Sequence, residues 1–280
     1  MTRRTALIGY PLKRRHSEIM HNAAFEHFSI DARYELHEME AGGIATFVAE
    51  ARSPEWYGFQ VTAPHKQVIM AHLDEVEGGA RHIGAVNSVL RRDDGSLVGF
   101  NTDAPGFQRA AEGELNIRFS DLRVGVAGAG GVARAVVHAL VAAGADSVTI
   151  CDIEPSRAES LAAESGSAVR ALPVGGRFEE ELRHVDFAVN ATTVGMIQSG
   201  VAFDPDVLQD SAVVFDLVYN PPESELLRRA RARALPASNG LGMLIAQAEN
   251  AFERWTGEPG AGPIMRAALA AEPLPDQLGG

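Results

Sequence analysis

Cysteine is almost absent. Cys151 is the single one in 280 residues, so there is no disulfide framework and no cysteine-built zinc or iron–sulfur site. Basic residues are outnumbered, 25 Lys and Arg against 37 Asp and Glu, for a formal charge of −12. Nucleic acids and anionic membranes are held through a basic footprint, and this balance argues against both as partners. It still permits a local basic pocket for a small anion. Long apolar runs are also missing, with nothing approaching the roughly 18 uninterrupted apolar residues that span a bilayer. Arg3 and Arg4 precede a short apolar stretch that breaks at Gly9 and Pro11, unlike a secretory signal. The expected address is the cytoplasm. The nine histidines fall in no H-E-x-x-H or other ligand spacing, so no metal is expected.

What is present is an ordinary globular composition, 46% hydrophobic and 22% charged, at a length that suits two domains better than one core. The N-terminal third alternates strand-like and helix-like patches. A buried strand is expected over 5–9, a helix opening at Ser17 with Glu18 in its first turn, and strands over 34–39 and 59–62. Asp93-Asp94-Gly95, between β-rich runs at 86–90 and 97–100, predicts a hairpin. After a helix over 104–112, strands at 123–127, 147–152, 186–191 and 212–218 alternate with helices at 133–143, 155–164 and 224–234. That alternation predicts a parallel sheet with helices on both faces. The arginines between 228 and 233 read as a solvated helix face. Helices over 241–255 and 260–271 follow, then a Pro- and Gly-rich tail expected to fray.

Gly128-Ala129-Gly130-Gly131-Val132-Ala133 fits G-x-G-x-x-[GA], a weak signal by itself. Its context strengthens it, because it follows a strand and opens a helix. Gly128 permits the tight turn, Gly130 lets backbone approach a pyrophosphate, and Ala133 allows close helix–strand packing. Asp152 lies 24 residues after Gly128 at the end of the next strand. A carboxylate there accepts from ribose hydroxyls and repels a 2′-phosphate, so the expected cofactor is NAD, with NADP disfavoured. Asn190-Ala191-Thr192-Thr193 ends a later strand, with small and hydroxylated residues that suit the cofactor crevice.

A second group of motifs precedes and follows this one. Gly58-Phe59-Gln60-Val61-Thr62-Ala63-Pro64-His65-Lys66, Gly84-Ala85-Val86-Asn87-Ser88 and Asn101-Thr102-Asp103 come first, and Gly240-Leu241-Gly242-Met243-Leu244 with Gln247 comes last. Together with the glycine turn and Asn190-Ala191-Thr192, they closely resemble the shikimate/quinate dehydrogenase family. The match runs in register from about Thr5 to about Gly257. The resemblance implies an α/β protein of two domains separated by a cleft. Residues 1–102 with 241–280 would form the substrate domain, and 103–240 a Rossmann-type NAD-binding domain. It implies that Lys66 and Asp103 are the catalytic pair, and a lysine beside a carboxylate suits acid–base work. Asn87, Thr102, Gln247 and Tyr219 would contact the substrate, as would Ser17, Gln60 and Thr62. Cofactor contacts would come from Gly128, Ala129, Gly130, Gly131, Val132, Asp152, Ile153, Arg157, Asn190, Ala191, Thr192, Leu217 and Gly240. Cys151 reads as a small buried residue and not a nucleophile.

Three departures from the family stand out. NADP-using members carry an Asn-Arg-Thr-like run after the second strand; here it is Cys151-Asp152-Ile153, with Asp152 in place of the arginine. The family's His-Ser-x-Ser-Pro-like run reads Arg14-Arg15-His16-Ser17-Glu18, so Arg15 replaces a hydroxyl residue and Glu18 a proline. Arginine binds carboxylates bidentately, so Arg15 joins Ser17 as a candidate carboxylate contact. Gln60 replaces the usual asparagine and reshapes whatever it touches. The expected function is therefore NAD-linked oxidation and reduction of a ring alcohol in a small anionic cyclic hydroxy-acid. The alternatives are the same chemistry on an amino, phosphorylated or bulkier substrate, and a non-catalytic NAD-binding regulator on the same fold. A homodimer stays open.

Overall fold

The computed structural model describes residues 2–12 and 15–271, so the Pro- and Gly-rich tail lies outside the described residues. The chain separates into two compact units. One holds the chain up to Thr102 and again from Ile245 onward, and the other is Asp103–Leu244.

The first unit contains β1 (Arg3–Gly9), α1 (His16–His27), β2 (Ala32–Glu38), α2 (Ile44–Glu50), β3 (Gly58–Val61), β4 (Glu75–Val76), α3 (Gly78–Ile83), β5 (Ser88–Arg91) and β6 (Leu97–Phe100). Its six strands lie in the order β2-β1-β3-β5-β6-β4. β1 runs parallel to β2 and β3, while β5 is antiparallel to β3 and β6. The expected hairpin joins β5 to β6, with Gly95 at φ +86° supplying the left-handed turn residue. Ile8, Phe47, Trp56, Phe59, Val89 and Leu97 bury one face of this sheet under α2. That helix, α3 and β4 are absent from the sequence expectation, because seven, six and two residues are too few to display a period. Ser17 does not open α1 as expected. The helix starts at His16, its N-cap is Arg15 with no side-chain cap bond, and the Ser17 hydroxyl is left for other partners.

The second unit contains α4 (Asp103–Leu115), β7 (Arg123–Ala127), α5 (Gly131–Ala142), β8 (Ser147–Cys151), α6 (Pro155–Ser165), β9 (Val169–Ala171), α7 (Gly176–Leu182), β10 (Phe187–Asn190), β11 (Val213–Asp216), α8 (Glu225–Ala232) and β12 (Ala237–Asn239). All six strands are parallel, in the order β9-β8-β7-β10-β11-β12. Counted within the unit this is 3-2-1-4-5-6, with its switch point between β7 and β10, where ligands bind in doubly wound sheets. β10 and β11 are buried along their whole length, as strands covered on both faces must be. The arginines of α8 and its C-cap are tied to nearby acids: Arg229 to Asp204 and Asp206 at 2.5 and 2.6 Å, Arg231 to Glu223 at 2.7 Å, and the C-cap Arg233 to Asp210 at 2.9 Å. They form a solvated, ion-paired face and not a basic patch.

α9 (Leu241–Thr256) and α10 (Gly262–Ala271) complete the chain, and the unit boundary at Ile245 falls four residues into α9. Glu249 of α9 accepts from the Gly262 N–H at 2.9 Å, which fastens the start of α10. Among the described residues no helix is long and apolar enough to cross a membrane, and no cluster of His, Cys, Asp and Glu could hold a metal ion.

Candidate active site

Strand register aligns the carboxyl ends of five strands of the second unit. Cys151 pairs with Ala127, Ala127 with Asn190, Asn190 with Asp216, and Asp216 with Asn239. The residues just beyond this row lie along the carboxyl edge of the sheet, where ligands bind in doubly wound folds. Gly128 has φ +108°, and a Cβ on it would lie 2.8 Å from the Ala191 carbonyl oxygen, so only glycine fits this crossing. A Cβ on Gly130, by contrast, would meet nothing within 4 Å. Gly130 is the N-cap of α5 and offers no side-chain cap, so the first-turn N–H groups of Gly131, Val132 and Ala133 stay available to an anion. This open cradle fits a dinucleotide pyrophosphate.

Asp152 is half-buried and is held in place by backbone. The Ala129 N–H donates to Oδ2 at 2.8 Å and the Glu154 N–H to Oδ1 at 2.9 Å. The carboxylate thus ties the glycine turn to the end of β8 and keeps lone pairs for ribose hydroxyls. Ile153 next to it is an apolar side chain left 86% exposed. Arg157 pairs with Glu154 at 2.9 Å. Cys151 is buried, and burial pushes its thiol up to about 12, consistent with an inert packing role. Leu217 and Gly240 meet backbone to backbone. A Cβ on Gly240 would lie 2.2 Å from the Leu217 carbonyl oxygen.

Behind Asn190 lies a carboxylate that belongs to none of the sequence motifs. Asp216 is fully buried. Its Oδ1 accepts from Asn190 Nδ2 at 2.8 Å and from the Val218 N–H at 3.0 Å, and its Oδ2 accepts from the Ser224 hydroxyl. Asn190 Oδ1 in turn accepts from the Thr192 N–H at 3.0 Å and its hydroxyl at 2.7 Å. Asp216 therefore sets the amide of Asn190, which shapes the turn Asn190-Ala191-Thr192 against Gly128. Its signal in the sequence is a polar residue closing an apolar strand, as Asn190 does one strand over.

Burial raises the Asp216 carboxyl above its ordinary value, outweighing the bonds from Ser224, Val218 and Asn190 that favour the anion. The raised group contributes stability that is fully present below the ordinary carboxylate value of about 4 and is lost as pH rises through its folded value. Asp216→Asn keeps the shape but does not titrate. Its stability relative to the unsubstituted protein should therefore improve as pH rises above about 4. Urea unfolding across that range checks this, and a difference that does not vary with pH refutes it.

In the first unit, three expected substrate residues converge. Asn87 Nδ2 donates to Thr102 Oγ1 at 2.9 Å and to Gln247 Oε1 at 3.4 Å, while Asn87 Oδ1 accepts from the Thr102 N–H at 2.8 Å. Residues 160 positions apart thus form one carboxamide–hydroxyl cluster, a set of donors and acceptors suited to a polyol. Thr62 and Lys66 are half-buried in the loop after β3, which is closed by the Val86 N–H donating to the Lys66 carbonyl at 2.8 Å. Arg15 is exposed and pairs with Glu18 of its own helix at 2.7 and 3.2 Å. Gln60 is buried and shares Oε1 between Tyr34 and His21. In the second unit, Asp103 is buried as the first residue of α4, and Tyr219 is half-buried after β11.

A strand–turn–helix cradle at the switch point of a 3-2-1-4-5-6 sheet, in a chain that also carries a mixed α/β unit, defines a dinucleotide-dependent protein of two units. The particular family follows from comparison with known proteins. Residues 7–89 match the shikimate dehydrogenase substrate binding domain, 109–199 match shikimate/quinate 5-dehydrogenase, and 240–270 match the shikimate 5′-dehydrogenase C-terminal domain. The chain belongs to the shikimate dehydrogenase family, nicotinamide-dinucleotide oxidoreductases acting on CH–OH groups. A shikimate dehydrogenase (NADP(+)) of Geobacillus kaustophilus is 38% identical over 90% of this chain and 92% of its own length. The quinate dehydrogenase of Corynebacterium glutamicum, solved with NAD, superposes with TM-score 0.89 at 34% identity, covering 96% of this chain and 99% of that one. A 5-ketofructose reductase of a Gluconobacter strain superposes with TM-score 0.86 at 32% identity, covering 96% and 98%.

Proposed function

We propose that this chain is an NAD-linked dehydrogenase acting on a ring alcohol or ketone of shikimate, quinate or a related cyclic hydroxy-carboxylate. The observation that carries the cofactor choice is Asp152. Its carboxylate stands at the end of β8 with Glu154 close behind, and Arg157 is already paired with Glu154. A ribose diol finds acceptors there, whereas a 2′-phosphate meets negative charge. The Geobacillus relative is named for NADP(+) and the Corynebacterium neighbour holds NAD, so the family uses both, and the residues after β8 favour NAD.

On this reading Asn87, Thr102 and Gln247 hold the substrate hydroxyls, with Thr62 and Tyr219 as further contacts. Ser17, with Arg15 beside it in sequence, binds its carboxylate, and Gln60 is a further substrate contact. The nicotinamide ring, when bound, accepts or returns hydride. In the oxidative direction Lys66 accepts the hydroxyl proton, and Asp103 is the second member of the catalytic pair that the family resemblance implies. Initial rates of NADH and NADPH formation with shikimate and quinate at alkaline pH test the reading. NADPH formed faster than NADH would end the cofactor half. Absence of turnover on both acids would end the substrate half.

A second reading keeps the chemistry and changes the substrate. Gln60 and Arg15 favour it, and the Gluconobacter neighbour is named for a different ketone. Turnover on another cyclic acid or polyol, well above that on shikimate and quinate, would select it.

A further inference from the structure

Gln60, on the central strand β3, is held from behind by two buried side chains. The Tyr34 hydroxyl on β2 donates to Gln60 Oε1 at 2.6 Å, and His21 on α1 reaches the same oxygen with Nε2 at 3.2 Å. A separation of 2.6 Å is short for N–H···O and ordinary for O–H···O, which identifies the buried atom of the amide as its oxygen. With the carbonyl facing it, the imidazole must be the donor, so His21 carries its proton on Nε2. Burial pulls the His21 pKa down to about 3, opposed only in part by the Gln60 bond, and the ring stays neutral.

Neither partner is free to turn. The His21 ring stacks on Tyr34 with centroids 4.5 Å apart and planes within 6°, and Trp255 closes another side at 5.2 Å. Trp255 is fixed in turn by its Nε1–H donating to the Val89 carbonyl at 2.9 Å. Asn22, one residue after His21, clasps the Tyr34 backbone: it accepts from the N–H at 2.7 Å and donates to the carbonyl at 3.1 Å. The Gln60 amide nitrogen, by contrast, makes no hydrogen bond among the described residues.

We propose, resting on the function above, that Tyr34 and His21 are positioning residues that lock the Gln60 amide with its N–H groups toward the substrate, so that this wall reads an acceptor oxygen such as a carboxylate. An unpinned glutamine could flip and serve a donor equally well. Pinning removes that freedom and makes the contact selective for acceptors.

Gln60→Glu preserves the buried acceptor and replaces the outward N–H groups with an anionic oxygen. It should raise KM for the cyclic acid by on the order of 100-fold and leave KM for NAD unchanged. Tyr34→Phe removes one pin and should raise substrate KM about tenfold, the size of one hydrogen bond, with little change in kcat. That rise should vanish when Gln60 is already Ala, which a merely structural role for Tyr34 would not produce. Long-range 1H–15N NMR of the unsubstituted protein at neutral pH should show His21 protonated on Nε2. A His21 proton on Nδ1, an unchanged substrate KM in Tyr34→Phe, or the same tenfold rise in the Gln60→Ala background would each overturn the proposal. If the unsubstituted protein oxidises no cyclic hydroxy-acid, the proposed function fails, and the His21 tautomer still decides how Gln60 faces.

Discussion

Lys66→Ala is expected to lower turnover by about 10²–10⁴-fold, the range that a positioned proton donor or acceptor supplies, with NAD affinity unchanged. The local structure makes such a loss interpretable. The Lys66 backbone is engaged, its carbonyl accepting from Val86 at 2.8 Å, and the side chain contributes nothing to that bond. Its neighbour His65 is fully buried and bonds the Met39 carbonyl through Nε2 at 2.7 Å, so the loop stays anchored after the truncation. Gly128–Gly131, Asp152 and Asn190, the residues proposed to hold the cofactor, belong to the second unit and keep their identities in this variant. Steady-state rates, with NAD affinity measured separately by calorimetric titration, distinguish the two effects. Turnover within about threefold of the unsubstituted protein, small against the expected range, would remove Lys66 from the chemistry.

Asp152→Arg should move the ratio of kcat/KM for NAD over NADP by two to three orders of magnitude toward NADP. Replacing a carboxylate with a guanidinium at a 2′-phosphate exchanges repulsion for a bidentate bond, a swing of several kcal/mol, at about 1.4 kcal/mol per tenfold. The absolute rates will also fall. Asp152 receives the Ala129 and Glu154 N–H groups at 2.8 and 2.9 Å, and arginine cannot accept either. Loosening the turn penalises both cofactors alike, which is why the ratio and not the rate is the measurement to make. An unchanged ratio would leave Asp152 as a turn-stapling residue only.

Long strands with turn residues at both ends are legible in the sequence. The expectation of 123–127 coincides with β7, and 147–152 exceeds β8 by one residue. β9 and β12 are not legible, because three residues carry no period and become strands through pairing with β8 and β11. The site divides in the same way. The glycine turn and Asp152 can be read from spacing, since a βαβ unit ties position in sequence to position in space. Asp216 cannot, because its role depends on strand register that sets it beside Asn190. Arg15 offers a carboxylate contact on chemical grounds, and in the structure it forms an i,i+3 pair with Glu18, a local competitor three residues away. Gln60 is a substrate contact by resemblance, while its supports lie on α1 and β2, outside every motif.

What the sequence by itself determined is the class of the protein. Ordered motifs specify a nicotinamide-dinucleotide oxidoreductase of the shikimate dehydrogenase family, and a single cysteine leaves no disulfide framework within the chain. What only the tertiary structure decided is orientation. Asn87 meets Gln247 across 160 positions, Asp216 sets the Asn190 amide, and Tyr34 with His21 turns Gln60. Motif spacing records what a short stretch of backbone can present. The direction of a buried amide is set by which donors and acceptors the fold brings against it, since a buried polar group left unpaired costs more than most single contacts contribute.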